Sequence, residues 1–292
     1  MLPSPTKPSG SFKDRGVSHF CQTLQAGGST KLISSSGGNA GHAVACAGRQ
    51  LGMDVEVIVP TTTKPIMLDK IRAQGAEVRV HGENWNAADA LARELVEADS
   101  AAEYISPYDH PMLWEGHSSL IDELVEDMPA DMPLGAVVAS VGGGGLVCGV
   151  YEGLARHGLT DTLVVTAETE GAASFGKSFT SDEPTVAVRL SSIDTVATSL
   201  GALQVTQVAL DRASQHRTEA AICTDREAID ACMAFAADHR VLVEPACGAG
   251  LAVAYSPRLR GMLQGLPSAV IEVCGGSGVN VGLLSEWDST VA

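Results

Sequence analysis

The stretch at residues 31–59, KLISSSGGNAGHAVACAGRQLGMDVEVIV, decides the class of fold. Lys31, Leu32 and Ile33 end a short apolar strand, and residues 34–38, three serines and two glycines, form its turn. Residues 39–50 then read as a helix, rich in alanine and small enough on every side to pack closely. Residues 54–60 return to a strand. Thr62 or Thr63 is placed to cap a further helix with Pro65 near its start, and Ile66, Leu68 and Ile71 supply its apolar positions. Together these segments form a βαβ unit.

The same alternation continues outward. Gly75 ends that helix, residues 77–80 resume a strand, residues 86–99 place Ala88, Leu91 and Leu95 on one helical face, and residues 103–105 are strand-like. Strand and helix repeating in this way predict a smaller α/β lobe over residues 1–112, expected to carry Lys13 and the serine–glycine loop. Residues 106–111, SPYDHP, mark the crossing into a larger lobe over residues 113–292. There, helical character at 114–126 precedes a strand at 134–141, which feeds the run Gly142, Gly143, Gly144, Gly145. Further strands are expected at 163–168 and 268–273, and helices at 202–210, 225–237 and 246–255. Residues 171–195 are rich in small residues and turn formers and carry no regular assignment. The expected class is α/β, with two doubly wound open-sheet lobes.

A chain of 292 residues buries a substantial core, and its 45% hydrophobic and 18% charged composition is that of a globular protein. Thirty-five acidic against 19 basic residues give a formal charge of -16, the wrong sign for a broad nucleic-acid surface. No apolar run reaches membrane-spanning length and no amino-terminal targeting segment is visible, so no membrane association and a cytoplasmic location are expected. The seven cysteines lack tight metal-ligand spacing and read as reduced residues.

Chemistry enters at residues 8–16, PSGSFKDRG. Lys13 sits among small residues, where its amine can reach a bound ligand; a primary amine forms a Schiff base with an aldehyde and can then carry a proton to or from substrate carbon. The bland alternative is a solvent-facing lysine at a helix start. Gly142 to Gly145, ahead of a helix beginning near Leu146, leave backbone N–H groups free to turn toward phosphate oxygens; the alternative is a flexible connection. The spacing matches neither a dinucleotide fingerprint nor a P-loop. Ser35, Ser36 and Asn39 offer hydroxyl and amide contacts to a carboxylate or a cofactor oxygen, or cap their own helix. Cys274 ends a strand, presenting a thiol to a heteroaromatic ring or serving as a buried structural residue. Glu168 and Glu244 can bind a cation, orient a helix, tune the site or remain exposed. His110, His117 and His239 have no metal spacing. One lysine and two backbone cradles suggest a phosphorylated carbonyl cofactor held as a Schiff base.

The combination PSGSFKDRG, SSSGGNAGHAVACAGRQLG, WEGHSS, VGGGGLVCGV, LVEPACGAG and IEVCGGSG resembles the pyridoxal-phosphate-dependent L-serine dehydratases, or serine ammonia-lyases, of the serine/threonine dehydratase family, over essentially the whole chain. The resemblance implies the tryptophan-synthase-beta-like fold of fold type II enzymes, a homodimer, and pyridoxal 5'-phosphate bound to Lys13 with Phe12 against it. It implies Ser36, Gly37 and Asn39 on the substrate-carboxylate side, with Asn39 at the ring hydroxyl. Gly142, Gly143, Gly144, Gly145 and Leu146 become the phosphate turn, and Cys274 lies beside the pyridine nitrogen. Glu168, with backbone oxygens of Gly142, Ala172, Leu200 and Ala202, corresponds to a monovalent-cation site, with potassium as its occupant.

By the same resemblance Lys13 removes the α-proton of L-serine, the cofactor phosphate protonates the departing β-hydroxyl, and released aminoacrylate hydrolyses to pyruvate and ammonia. L-Threonine gives 2-oxobutanoate. Three rivals stand beside this reading. Similar racemases carry a serine where this sequence has Gly37, and that serine supplies a proton on the opposite face. Synthases replace the β-substituent. A catalytically silent metabolite-binding homologue keeps the fold alone. The family also carries a strand and helix ahead of its lysine motif, whereas Lys13 lies close to the start of this sequence. A shortened larger lobe with exposed apolar surface or a weakened dimer is the expectation that follows.

Overall fold

The computed structural model describes residues 7–129 and 131–291, so the outermost residues of the two expected lobes, 1–6 and 292, lie outside the described residues. After helix α1 (Lys13–Ala26) the chain builds β1 (Lys31–Ser34), α2 (Asn39–Leu51), β2 (Asp54–Val59), α3 (Pro65–Ala73), β3 (Glu77–Val80), α4 (Trp85–Ala98) and β4 (Ala102–Tyr104). These strands form a wholly parallel sheet in the order β3-β2-β1-β4. Alternate residues of a strand face opposite sides, and the burial follows that rule. Ile33 and Ile58 meet Ala88 and Ala92 of α4, while Val57 and Val59 meet Ala45 of α2 and Ile71 of α3.

A second parallel sheet follows, with α5 (Pro111–Asp127), β5 (Ala136–Ser140), α6 (Gly145–Arg156), β6 (Leu163–Thr169), α7 (Ser174–Phe179), α8 (Gln207–Ser214), β7 (Thr218–Cys223), α9 (Asp225–His239), α10 (Pro245–Tyr255), β8 (Ala269–Ile271) and α11 (Val281–Thr290). Its order is β7-β6-β5-β8. Val137, Ala139 and Val164 face a core shared with α1, α5 and α6, and Ala136, Val138 and Val165 face one shared with α9 and α10. Helices therefore cover both faces of both sheets, as parallel strands require.

Helix α1 contributes Val17, Phe20 and Cys21 to the core that holds α5 and α6. Gly16 and Gly116 allow that approach, since a Cβ on Gly116 would lie 2.7 Å from the Gly16 Cα. Arg15 then grips Glu123 of α5 in a two-pronged ion pair at 2.7 and 2.8 Å. The lysine-bearing segment is thus seated on helices of the second sheet.

Several local expectations are corrected. The cap of α3 is Lys64 rather than Thr62 or Thr63, and no side chain caps it; Pro65 at the first helical position removes one of the N–H groups that would need a partner. The helix expected at 202–210 begins only at Gln207. Residues 202–206 are instead drawn out of helical geometry by tertiary contacts, with Leu190 N–H bonded to Leu203 O at 2.7 Å and Thr206 N–H to Gly143 O at 3.0 Å. Strand β7 and helices α7 and α11 were not expected. At the sheet edge, β7 buries only Ala221 and Cys223, so its sequence lacks a core-strand pattern.

Candidate functional site

In open parallel sheets, ligands bind beyond the carboxyl ends of strands, where the strand order reverses and neighbouring loops diverge. Each sheet here has one such point, between β1 and β4 in the first and between β5 and β8 in the second. The four loops that leave these strands carry residues 35–38, 105–110, 141–144 and 272–280, and the two sheets turn them toward each other. A cleft of about 870 Å³ lies between them, lined by Phe12, Lys13, Ser36, Gly37, Asn39, Tyr108, Gly143, Ser199, Leu200, Ala202, Glu244 and Cys274 among others.

Lys13 and Cys274 stand far apart in sequence and meet because the chain start pairs with the last strand's loop. Ser11 forms an antiparallel bridge with Gly275, Phe12 N–H donates to Cys274 O at 3.0 Å, and Gly276 N–H donates to Gly10 O at 2.9 Å. Lys13 is the first residue of α1, so its side chain leaves toward the cleft. Its Nζ donates to Pro107 O at 2.5 Å and lies 4.9 Å from the Phe12 ring centre. Burial lowers its pKa to about 8, against a smaller opposing pull from Cys274. That raises the neutral fraction near neutrality well above that of an exposed lysine, in the direction that a nucleophile and general base requires. The Cys274 thiol is held well above its ordinary range by a hydrogen bond with Cys247 and by burial, so it is a neutral group. Behind Lys13, the ring of His117 packs 5.1 Å from that of Phe12, and burial lowers its pKa well below the usual imidazole value.

Of the run from Gly142 to Gly145, Gly143 lines the same cleft as Lys13, while Gly142, Gly144, Gly145 and Leu146 lie behind it. Gly144 has φ +94°, a conformation that glycine adopts without strain. A Cβ on Gly143 would sit 2.2 Å from the Tyr108 ring, and one on Gly145 would sit 2.5 Å from Tyr108 O. The turn opens directly into α6, whose first N–H groups have no partner within the helix. A glycine turn at a 12-residue helix N-terminus, with Gly143 in the same cleft as a buried, weakly basic amine, fits a phosphorylated carbonyl compound.

Among the serines expected at the site, Ser35 is buried and donates to Asp89 at 2.7 Å while sharing a hydrogen bond with Tyr104 at 2.9 Å. It braces the small sheet. Ser36 and Gly37 line the cleft, and Ser36 Oγ accepts from Gly38 N–H at 3.3 Å. Asn39 also lines the cleft, where Glu244 and Ser277 hold its amide. Glu244 is one of the residues whose position the local sequence left open; the signal that marks it is its place at the start of a helix in LVEPACGAG. Ser199, Ser277 and Tyr108 carried no sequence signal of their own.

Glu168 is not exposed. It is 1% accessible, at the end of β6, and accepts Phe175 N–H at 2.9 Å and Gly176 N–H at 2.6 Å. Burial outweighs those two donors and raises its pKa to about 8. Gly142 touches Leu200, since a Cβ there would lie 3.1 Å from the Leu200 Cα, and Leu200 shares a buried cluster with Ala172. The Leu200 carbonyl accepts Ala202 N–H at 2.7 Å. Among the described residues no group of three or more His, Cys, Asp or Glu side chains is arranged to hold a metal ion.

Two switch points, one amine and one anion cradle define a class: a two-sheet α/β enzyme of fold type II, built to hold a phosphorylated carbonyl cofactor. Residues 5–275 match the model of the family described as pyridoxal-phosphate dependent enzyme, and the chain belongs to that family. It is 40% identical over 295 residues to L-serine dehydratase of Dictyostelium discoideum, covering 98% of this chain and 84% of the relative. It is 42% identical over 284 residues to human L-serine dehydratase/L-threonine deaminase, covering 95% and 85%. Among solved structures, a fungal L-serine ammonia-lyase from Rhizomucor miehei superposes with a TM-score of 0.91 at 34% identity, covering 99% of this chain and 91% of that one.

Proposed function

We propose that this chain is a pyridoxal-phosphate-dependent L-serine ammonia-lyase, converting L-serine to pyruvate and ammonia and L-threonine to 2-oxobutanoate. The observation that carries this is the buried, weakly basic Lys13 in one cleft with Gly143 of the glycine turn, in a chain whose relatives bear that activity in their names. When bound, the cofactor supplies an electron sink for the pair left at the substrate α-carbon. Lys13 would hold the cofactor and serve as the base for the α-proton, with Phe12 against it. Gly142, Gly143, Gly144, Gly145 and Leu146 would hold its phosphate and Cys274 would partner its ring nitrogen, where a neutral thiol would favour protonation less than a carboxylate. Ser36, Gly37 and Asn39 would line the substrate-carboxylate side, with Asn39 the partner of the ring oxygen.

Dehydration is favoured over racemisation because Gly37 offers no proton donor on the face opposite Lys13. Glu168, with carbonyls of Gly142, Ala172, Leu200 and Ala202, is the proposed potassium site. We infer a homodimer, and a reducing, cytoplasmic setting that agrees with seven free, buried cysteines. Among the described residues no helix is long and apolar enough to cross a membrane.

The test is pyruvate release from L-serine, with 2-oxobutanoate from L-threonine and D-serine formation measured in parallel, beside a Lys13→Ala control. Lysine-dependent keto-acid release without D-serine is the expected result. Cofactor binding without release of either keto acid would overturn the lyase assignment, and sedimentation as a monomer would overturn the dimer.

A further inference from the structure

The carboxylate of Glu244 stands at the amino end of α10 yet does not cap that helix. It turns into the cleft, where it is 8% accessible. Three donors converge on it: the Asn39 side-chain nitrogen, Ser199 Oγ at 2.9 Å, and the backbone N–H of Gly278. The last glycine turn passes directly over it, because a Cβ on Gly276, whose φ is +116°, would lie 1.8 Å from the Glu244 Cγ. Burial favours the neutral form and the three donors favour the ionised one. On the other side of the amide, Asn39 Oδ1 accepts both Ser277 N–H at 2.9 Å and Ser277 Oγ at 3.0 Å.

These partners fix the polarity of the amide. A backbone N–H only donates, so the oxygen of Asn39 must face Ser277; a carboxylate oxygen that already receives Ser199 accepts, so the nitrogen must face Glu244. One N–H of Asn39 is used on Glu244. The second makes a long hydrogen bond, 3.4 Å, to Ser199 Oγ at the cleft wall, which a stronger acceptor in the cleft can replace. We propose that Glu244 is a positioning residue that locks Asn39 so that it presents an N–H donor, rather than a carbonyl acceptor, to an anionic ring oxygen of the bound cofactor. A donor there favours the ionised oxygen; a flipped amide would repel it. The inference rests on the functional reading above and deepens it, since the lock joins four separate chain segments around the reactive centre.

Glu244→Gln tests it at nearly constant shape. A glutamine has one accepting and one donating end, so it cannot satisfy both Asn39 and Gly278 as the carboxylate does. Purified protein is titrated with pyridoxal phosphate, and affinity and the visible band of the lysine-bound cofactor are read. We expect about a tenfold loss of affinity, equivalent to about 1.4 kcal/mol, and a shift of the band toward shorter wavelength as the ring oxygen takes up a proton. In an Asn39→Ala background the same substitution is expected to have no further effect, because Glu244 acts through Asn39. Thermal midpoints of the cofactor-free variants separate loss of positioning from loss of folding. If Glu244→Gln does not fold, Glu244→Asp, which keeps the charge but withdraws the oxygens, is expected to move affinity and band in the same directions. Wild-type affinity and an unchanged band in the folded variant, or equal effects with and without Asn39, overturn the inference alone. A wild-type chain that takes up no cofactor overturns the functional reading and the inference with it.

Discussion

Lys13 has a lowered pKa because the fold buries its amine, and that has a consequence for stability as well as reactivity. The unfolded chain keeps the lysine proton up to about pH 10.4, whereas the folded, cofactor-free chain releases it at about pH 8. Between those values the unfolded state holds the extra proton, so this group's contribution to stability falls as pH drops through the window and is constant below it. Competitive amine labelling of the cofactor-free chain, read residue by residue, is expected to place the Lys13 midpoint near pH 8 and well below that of exposed lysines. Glu168 behaves with the opposite sign. Its folded pKa is raised from 4.5 to about 8, so the folded state holds the extra proton between those values and stability falls as pH rises, levelling above about 8. A cation bound at the proposed site would replace that proton. Potassium is therefore expected to raise the thermal midpoint more at pH 8.5 than at pH 6, relative to tetramethylammonium at equal ionic strength. Glu168→Gln removes the difference, and an equal effect of both salts at both pH values would eliminate the proposed cation site.

The glycine turn between β5 and α6 shows how an element acquires function from its neighbours. Its glycines suggested a candidate phosphate cradle from the apolar strand before them, but the reason Gly143 and Gly145 must be glycine came from Tyr108, which the other sheet's loop lays across them. Gly143→Ala is expected to weaken cofactor binding by about tenfold or more, since the new methyl must displace an aromatic ring. Titration of the visible band measures this; wild-type affinity would show that Tyr108 yields freely. β5 and β6 read clearly because each opens on an apolar run and is buried along its whole length. Residues 202–206 did not, because contacts with Gly143 and Leu190, distant in sequence, overrode a helical pattern.

At the scale of the molecule the cleft is a joint between two sheets, and ligands in such a joint stabilise both sides. Asn39 reaches Glu244 and Ser277, and Lys70 Nζ donates to Ser277 O, so the first sheet already grips the loops of the second. Pyridoxal phosphate at a free concentration one hundred times its Kd is expected to add about 2.7 kcal/mol to stability. Differential scanning calorimetry with and without cofactor measures the gain. Lys13→Ala is expected to lose most of it, and an unchanged midpoint in the wild-type chain would show that the cleft does not engage the cofactor.

The sequence by itself determined the βαβ class, the candidate amine and the glycine turn, because strand periodicity, glycine runs and an isolated lysine motif are local properties of consecutive residues. The tertiary structure decided which of those residues share a site. Lys13 meets Cys274 because Ser11 pairs with Gly275, and Ser35 turns away because Asp89 and Tyr104 claim its hydroxyl. Glu168 is buried by α7, and Asn39 takes its direction from Glu244 and Ser277. Each of these outcomes depends on hydrogen bonds between segments far apart in the chain, and no local pattern records which partner a polar side chain will find.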